Sequence, residues 1–335
     1  MYFKRERRQD TAQPQGSAGR KYRGLQITAE CENGRIVAVV GPTASGKTDF
    51  GFRLASELSG AVVGADSLQV YKHFNIGSAK PSADAMSAFP HFMIDVVEPD
   101  DEFNAGAYRT LAHPILKKLC AEKTPPIVVG GTFLYVRALL EGLIESPADP
   151  EIRKQLEDEE KIYGTDWLYE KLRDSDAVSA VAIHQRDSVR IRRALEIFYS
   201  TGTPASQVRR SHGFSDGGFD CLKIGLTTDR DALVGEINRR TQEMFDGGII
   251  EETEQIRGMG YSRDLKPMKA IGYRQANMLI DGEITKTQSV EDTATDTRRF
   301  AKRQMTWLRK EKDIRWFVPE KLSEAVEECR KFLSA

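Results

Sequence analysis

The chain has 335 residues, 40% hydrophobic and 30% charged, with a formal net charge of −1. That length suits one large α/β domain with an insertion or two domains, and the composition is that of an ordinary globular protein. The charge excludes a molecule that binds nucleic acid over its whole surface, no stretch approaches the length of a membrane span, and four scattered cysteines (Cys31, Cys120, Cys221, Cys329) without a C-x-x-C pair fit a reducing compartment rather than a disulfide frame or zinc site.

In chain order, residues 1–24 are polar and rich in Gly, Gln, Arg and Lys. They read as a disordered extension, not as a signal or transit peptide. Residues 25–141 read as the first part of a P-loop core. Ile36-Val37-Ala38-Val39-Val40 is a short β-branched run expected to form a buried strand. It leads into Gly41-Pro42-Thr43-Ala44-Ser45-Gly46-Lys47-Thr48, which fits the phosphate-loop pattern G-x-x-x-x-G-K-[ST] at every fixed position. Phe50, Leu54, Ala55 and Leu58 then recur at helical spacing, and Gly60 is a stop. A strand, a Gly-rich turn and a helix N-terminus aim backbone N–H groups at one anion. Lys47 would reach phosphate oxygens and the Thr48 hydroxyl would ligate Mg²⁺. The loop specifies a phosphate or diphosphate, not the molecule that carries it.

A second strand, Ala61 to Ala65, runs into Asp66-Ser67-Leu68-Gln69. A carboxylate at the carboxyl end of a strand lies where open α/β sheets bind ligands, so Asp66 is a candidate general base or metal ligand; the plainer reading is a turn or N-cap aspartate. Phe103 to Leu119 reads as a helix, and Ile127-Val128-Val129-Gly130-Gly131 as a buried strand ending in a Gly-Gly turn, with Thr132 expected at the same sheet edge as the phosphate loop. Composition changes near Gly142, and residues 142–220 read as a charged helical insert. Within it Arg186, Arg190 and Arg193 share one helix face with Arg192 close by, a pattern that more often marks a merely solvated surface. Residues 221–335 return to the core. They hold a strand from Cys221, a helix from Arg230 to Phe245, the segment Met268 to Arg274, and a basic helix with interleaved aromatics from Arg298 to Lys310.

The ordered series G-P-T-A-S-G-K-T, D-S-L-Q-V-Y, G-S-A-K-P, V-V-G-G-T-F-L-Y, K-A-I-G-Y-R and A-K-R-Q-M-T-W resembles the tRNA dimethylallyltransferases, from about Ile36 to about Phe317. The resemblance implies a P-loop NTPase-like parallel sheet with a helical insertion. It implies transfer of a dimethylallyl group from dimethylallyl diphosphate to the exocyclic N6 amine of the adenine next to the tRNA anticodon, with Mg²⁺ as cofactor. It puts the catalytic roles on Asp66, Thr132 and Arg240, the last through I-x-x-R-x-x-x-M, and donor diphosphate binding on Gly41, Pro42, Thr43, Ala44, Ser45, Gly46, Lys47 and Thr48. It puts contacts to the tRNA anticodon stem-loop on Asp66, Ser67, Leu68 and Gln69, on Arg153, on Val189, Arg190, Ile191, Arg192 and Arg193, and on Lys269, Ala270, Ile271, Gly272, Tyr273 and Arg274. The expected protein is a cytoplasmic monomer without a membrane partner.

Two positions depart from the family pattern. Ser78 stands where Thr is usual, and His91-Phe92 where paired His is usual, so His91 receives no catalytic role. The residue chemistry agrees with the resemblance. An adenine amine is a poor nucleophile, a carboxylate can take its proton as the C–N bond forms, and cations can hold the departing diphosphate. The rival readings are a free-nucleotide isopentenyltransferase, a P-loop small-molecule kinase and a non-enzymatic RNA-binding protein.

Overall fold

A computed structural model describes residues 34–143, 149–212 and 218–335; the expected extension at residues 1–24 lies outside them. Six strands form one sheet: β1 Gly34–Val40, β2 Ala61–Gly64, β3 His91–Phe92, β4 Pro126–Gly130, β5 Phe219–Leu226 and β6 Ile314–Phe317, in the order β3-β2-β4-β1-β5-β6. The β1–β4, β2–β4, β2–β3 and β5–β6 pairs are parallel. The inner strands are buried along nearly their whole length, which explains their continuous apolar runs. β6 carried no such signal. It is the sheet's last strand, and Arg315 and Trp316 in its middle face water.

The helices are α1 Lys47–Leu58, α2 Ala83–Ser87, α3 Ala105–Ala121, α4 Phe133–Glu141, α5 Pro150–Tyr163, α6 Thr165–Ser175, α7 Ala177–Ala182, α8 Ser188–Thr201, α9 Ala205–His212, α10 Arg230–Asp246, α11 Ile249–Gly258, α12 Tyr273–Ile280, α13 Lys286–Leu308 and α14 Leu322–Ser334. None is long and apolar enough to cross a membrane. The chain divides into two compact units, one reaching Gly131 and resuming from Leu222 to Ala335, the other Thr132–Cys221. The division falls where β4 ends, upstream of the composition change near Gly142.

In the first unit, Val37, Val39, Val62, Ile127, Val129 and Ile224 of the sheet pack against Phe50, Leu54 and Ala55 of α1 and against Leu322, Ala325, Val326 and Cys329 of α14. Burial pushes the Cys329 thiol up to about 12, so this cysteine is an unreactive packing group.

The second unit has its own core, built on Leu156, Leu168, Leu172, Ile191, Ala194 and Leu195. At its centre Asp176 accepts from Ser179 N (3.0 Å) and Oγ (2.6 Å) and from Ser206 N (2.8 Å) and Oγ (2.6 Å). Burial alone would raise this carboxyl, but the four donors hold it below its usual 3.8. A depressed carboxylate contributes fully above the free-carboxyl range and loses that contribution as pH falls through its folded value. Asp176→Asn is therefore expected to destabilise the protein by about 1–3 kcal/mol near neutral pH, and by less in acid. Urea unfolding of both proteins at neutral pH and in mild acid checks this.

Candidate active site

The phosphate loop connects β1 to α1. Gly46 sits in the left-handed region at φ 77°, where the missing Cβ removes the steric penalty, and caps α1 without any side-chain bond. The first-turn N–H groups therefore receive no capping side chain, and an anion can take that place. Ala44 is also left-handed, at φ 64°, and is wedged there by Ile237 of α10 and Ala301 of α13. Ser45 Oγ is buried with no hydrogen-bond partner among the described residues, an uncommon condition that points to a ligand supplying one. Thr48 makes no side-chain bond to a described residue. Among the described residues no group of three or more His, Cys, Asp or Glu could hold a metal ion.

Lys47 Nζ bonds Pro42 O at 3.2 Å. Its pKa is lowered to about 8, chiefly by burial, with the Asp66 carboxylate opposing the shift and the Arg240 guanidinium adding to it. Lys47, Asp66 and Arg240 therefore lie within one electrostatic neighbourhood. Arg240 makes no ion pair with a described residue, whereas its neighbour Arg239 is tied to Glu236 (2.6 Å) and Glu243. The arginine in the I-x-x-R-x-x-x-M pattern is the one of the two without an ion pair to a described residue.

Asp66 takes the turn role of its plainer reading. Oδ1 accepts from Leu68 N (2.9 Å) and Gln69 N (3.3 Å), the plain turn role. Oδ2 carries no hydrogen bond from a described residue. The turn fixes the carboxylate and leaves one oxygen for chemistry.

Adjacent strands β1, β4 and β2 bring their carboxyl ends together, so the loop, Gly131 and Asp66 stand at one edge. The Gly-Gly pair ending β4 has a steric cause. A Cβ on Gly130 would lie 2.0 Å from Ala65 O, and one on Gly131 would lie 2.7 Å from Gln304 Nε2 and 3.3 Å from Lys47 Cε. Thr132 follows and opens α4; its hydroxyl does not cap that helix.

The stretch after Asp66 is strapped down by bonds among motif residues and by Asn75, Asp95 and Glu252, which lie outside the motifs. Gln69 Nε2 donates to Ser78 O (3.1 Å) and Ala79 O (3.3 Å). Lys80, its side chain only 3% exposed, reaches Asp95 (2.6 Å), Tyr71 O (3.1 Å) and Asn75 (3.1 Å). Ser78 Oγ donates to Phe74 O at 2.6 Å, which explains why a hydroxyl is kept at this departure from the family pattern. The Glu252 carboxylate accepts from Asn75 N, Ile76 N and the Tyr273 hydroxyl, the last at 2.5 Å. His91 is structural: Nδ1 meets Phe89 O at 2.9 Å and the ring packs on Phe52 and Phe89.

Of the expected RNA contacts, Tyr273 is fully buried, with its hydroxyl serving Glu252 and the Gly77 N–H, and Ile191 is fully buried in the core of its unit, so their side chains are not on the surface. Gly272 is buried as well, and Ala270 and Ile271 are half-buried. The exposed cations are ion-paired: Arg190 with Asp187 (3.4 Å), Arg193 and Arg153 with Glu196 (2.9 and 3.2 Å), Lys269 with Asp264 (3.4 Å), and Arg274 with Asp296. Arg192 is held more firmly, between Glu157 (2.8 Å) and Glu160 (3.2 Å). Val189, Ser67, Leu68 and Gln69 are at least partly exposed.

A parallel sheet with a phosphate loop, an unpaired arginine and a half-open carboxylate along one edge defines a P-loop α/β protein that handles a phosphorylated ligand. The chain belongs to the IPP transferase family, whose model, described as IPP transferase, matches residues 69–311; a second model, isopentenyl transferase, matches residues 34–96. It is 43% identical over 283 residues to tRNA dimethylallyltransferase 2 of Geotalea daltonii, covering 84% of this chain and 87% of that one. It is 42% identical to the tRNA dimethylallyltransferase of Geobacter sulfurreducens, covering 84% and 91%. The crystal structure of the full-length tRNA isopentenylpyrophosphate transferase from Bacillus halodurans is similar at 34% identity and a TM-score of 0.67, covering 90% of this chain and 97% of that one.

Proposed function

We propose that this chain is a tRNA dimethylallyltransferase, transferring a dimethylallyl group from dimethylallyl diphosphate to the N6 amine of the adenine 3′-adjacent to the anticodon. The observation that carries the reading is the neighbourhood of Lys47, Arg240 and the open oxygen of Asp66 beside the phosphate loop. The adenine N6 lone pair forms a bond to C1 of the donor while the C1–O bond breaks, and diphosphate leaves with that electron pair. Asp66 Oδ2 takes the N6 proton. Lys47, Arg240, the Ser45 hydroxyl and the first-turn amides of α1 hold the growing negative charge. The Thr132 hydroxyl is assigned to the bridging oxygen of the donor.

Mg²⁺ fits this donor set. It would be held largely by waters and the donor's phosphate oxygens, with the Thr48 hydroxyl as the candidate ligand from this chain. When bound, the ion neutralises charge on the diphosphate. A tRNA substrate also implies a cytoplasmic location, and the chain is taken to act as a monomer.

The target base must leave its stack to reach a sheet edge, and exposed cations then grip the flanking phosphates. Arg190 and Lys269 suit this because their ion pairs lie at the surface, contribute about 0–1 kcal/mol and exchange a carboxylate for a phosphate at little cost, whereas Arg193 would leave the buried Glu196 carboxylate to its other partner, Arg153. Converting Arg190, Arg193 and Lys269 to Ala is expected to flatten the slope of log affinity against log salt by about 0.7–0.9 per lost contact. Unchanged tRNA affinity would leave them as solvated surface. Arg192, held by two carboxylates, is expected to matter for stability rather than for that slope.

The deciding assay incubates the protein with the allylic donor and either tRNA or AMP, followed by nucleoside mass spectrometry. Prenylated adenosine in tRNA alone supports the reading. Prenylated AMP alone would make it a free-nucleotide enzyme, and ATP turnover without prenyl transfer a kinase.

A further inference from the structure

The donor site contains a bridge that the reaction chemistry does not use. Gln304, on α13, accepts from the phosphate-loop Thr43 N–H through Oε1 (2.8 Å) and donates through Nε2 to Gly131 O (2.9 Å). One planar amide thus joins the loop after β1 to the turn after β4. Its two bonds have opposite sense, so only a side chain with both an acceptor and a donor can make them together. The bridge is tightly enclosed. Ala301, one turn before Gln304, packs on Ala44 of the loop together with Ile237, which lies one turn before Arg240 on α10. A methyl group on Gly131 would push Gln304 Nε2, 2.7 Å away, out of its place and would lie 3.3 Å from Lys47 Cε.

We propose that Gln304 is a positioning residue for the donor: it sets the spacing between the phosphate loop and the end of β4, and so holds Lys47 and the loop amides on the diphosphate. The inference rests on the prenyl-transfer reading only for the identity of the donor. Gln304 touches no reacting atom. It acts through Thr43 on one side and through Gly131 and Lys47 on the other. Small displacements of such groups are costly, since about 1 Å can cost 10²-fold in rate.

The test uses Gln304→Met, which keeps side-chain length and removes both bonds, and Gly131→Ala, which attacks the same bridge from its other end. Binding of inorganic pyrophosphate with Mg²⁺ is measured by calorimetry across pH 6.5–10, and KM for dimethylallyl diphosphate and for tRNA is measured separately. Each variant is expected to bind pyrophosphate about tenfold more weakly, because the loop amides and Lys47 are no longer held in place for the anion. The KM for the allylic donor should rise in parallel and the KM for tRNA should stay within about twofold. A merely structural residue would lower thermal stability without splitting the two KM values, and such a result would overturn the inference. So would a change confined to tRNA affinity. Wild-type protein that binds no pyrophosphate would overturn the donor-site reading and this inference with it, whereas normal wild-type binding with unaffected variants would overturn the inference alone.

Discussion

Asp66→Asn is expected to lower turnover by about 10²-fold or more while keeping the fold and diphosphate binding. The geometry makes this a clean substitution. Oδ1 accepts from Leu68 N and Gln69 N, and the asparagine carbonyl can do the same, so the turn survives. What is lost is the basic oxygen at Oδ2. A secondary effect has a defined sign: Asp66 raises the Lys47 pKa, so removing its charge should move the Lys47 break in pyrophosphate affinity below about 8. Single-turnover dimethylallyl transfer to tRNA, measured beside pyrophosphate calorimetry, reads both effects. Near-normal turnover in Asp66→Asn would remove the base assignment.

Lys47→Met is expected to cost about 10²–10³-fold in kcat/KM for the allylic donor, the usual loss when one preorganised group is withdrawn from developing charge. Both ground-state binding and turnover should fall, because the diphosphate is bound through the group that later departs. Lys47 also imposes a pH signature. In the free protein its pKa is about 8, against an ordinary 10.5. A bound diphosphate favours the ammonium form and raises that value, so diphosphate affinity is full below pH 8 and falls by up to about tenfold per pH unit above it. Stability of the ligand-free protein runs the other way. A lysine whose folded pKa lies below its unfolded value opposes folding fully below pH 8, and that opposition is relieved as pH rises towards 10.5. Pyrophosphate titrations and thermal melts between pH 7 and 10 should therefore show affinity falling while ligand-free stability gains. Lys47→Met should flatten both trends; a pH break persisting in that variant would assign it to another group.

Much of the donor side was legible in the chain. G-P-T-A-S-G-K-T after a β-branched run is a local arrangement, because one strand, one turn and one helix N-terminus suffice to build it. The inner strands were legible for the same reason: burial on both faces demands continuous apolar runs. β6 was not, since an outer strand needs no such run and takes its place by pairing with β5.

The functions of polar residues divided along another line. Arg239 and Arg240 are neighbours of one type, and only the partners brought by the fold separate them: Glu236 and Glu243 hold the first, and the field around Lys47 receives the second. Tyr273 and Ile191 lay in segments read as RNA-facing, yet both side chains point inward, because a motif gives residue order and not the direction of a side chain. Glu252 lies outside every motif, and Gln304 inside one without a recognisable role. Each acts across a long stretch of chain, on Asn75 and Ile76 in one case and on Thr43 and Gly131 in the other. The sequence by itself therefore determined the phosphate loop, the sheet's central strands and the family. Tertiary structure alone decided which charges are neutralised, which motif residues are struts, and what holds the loops apart, since those depend on groups distant in the chain meeting within hydrogen-bond range.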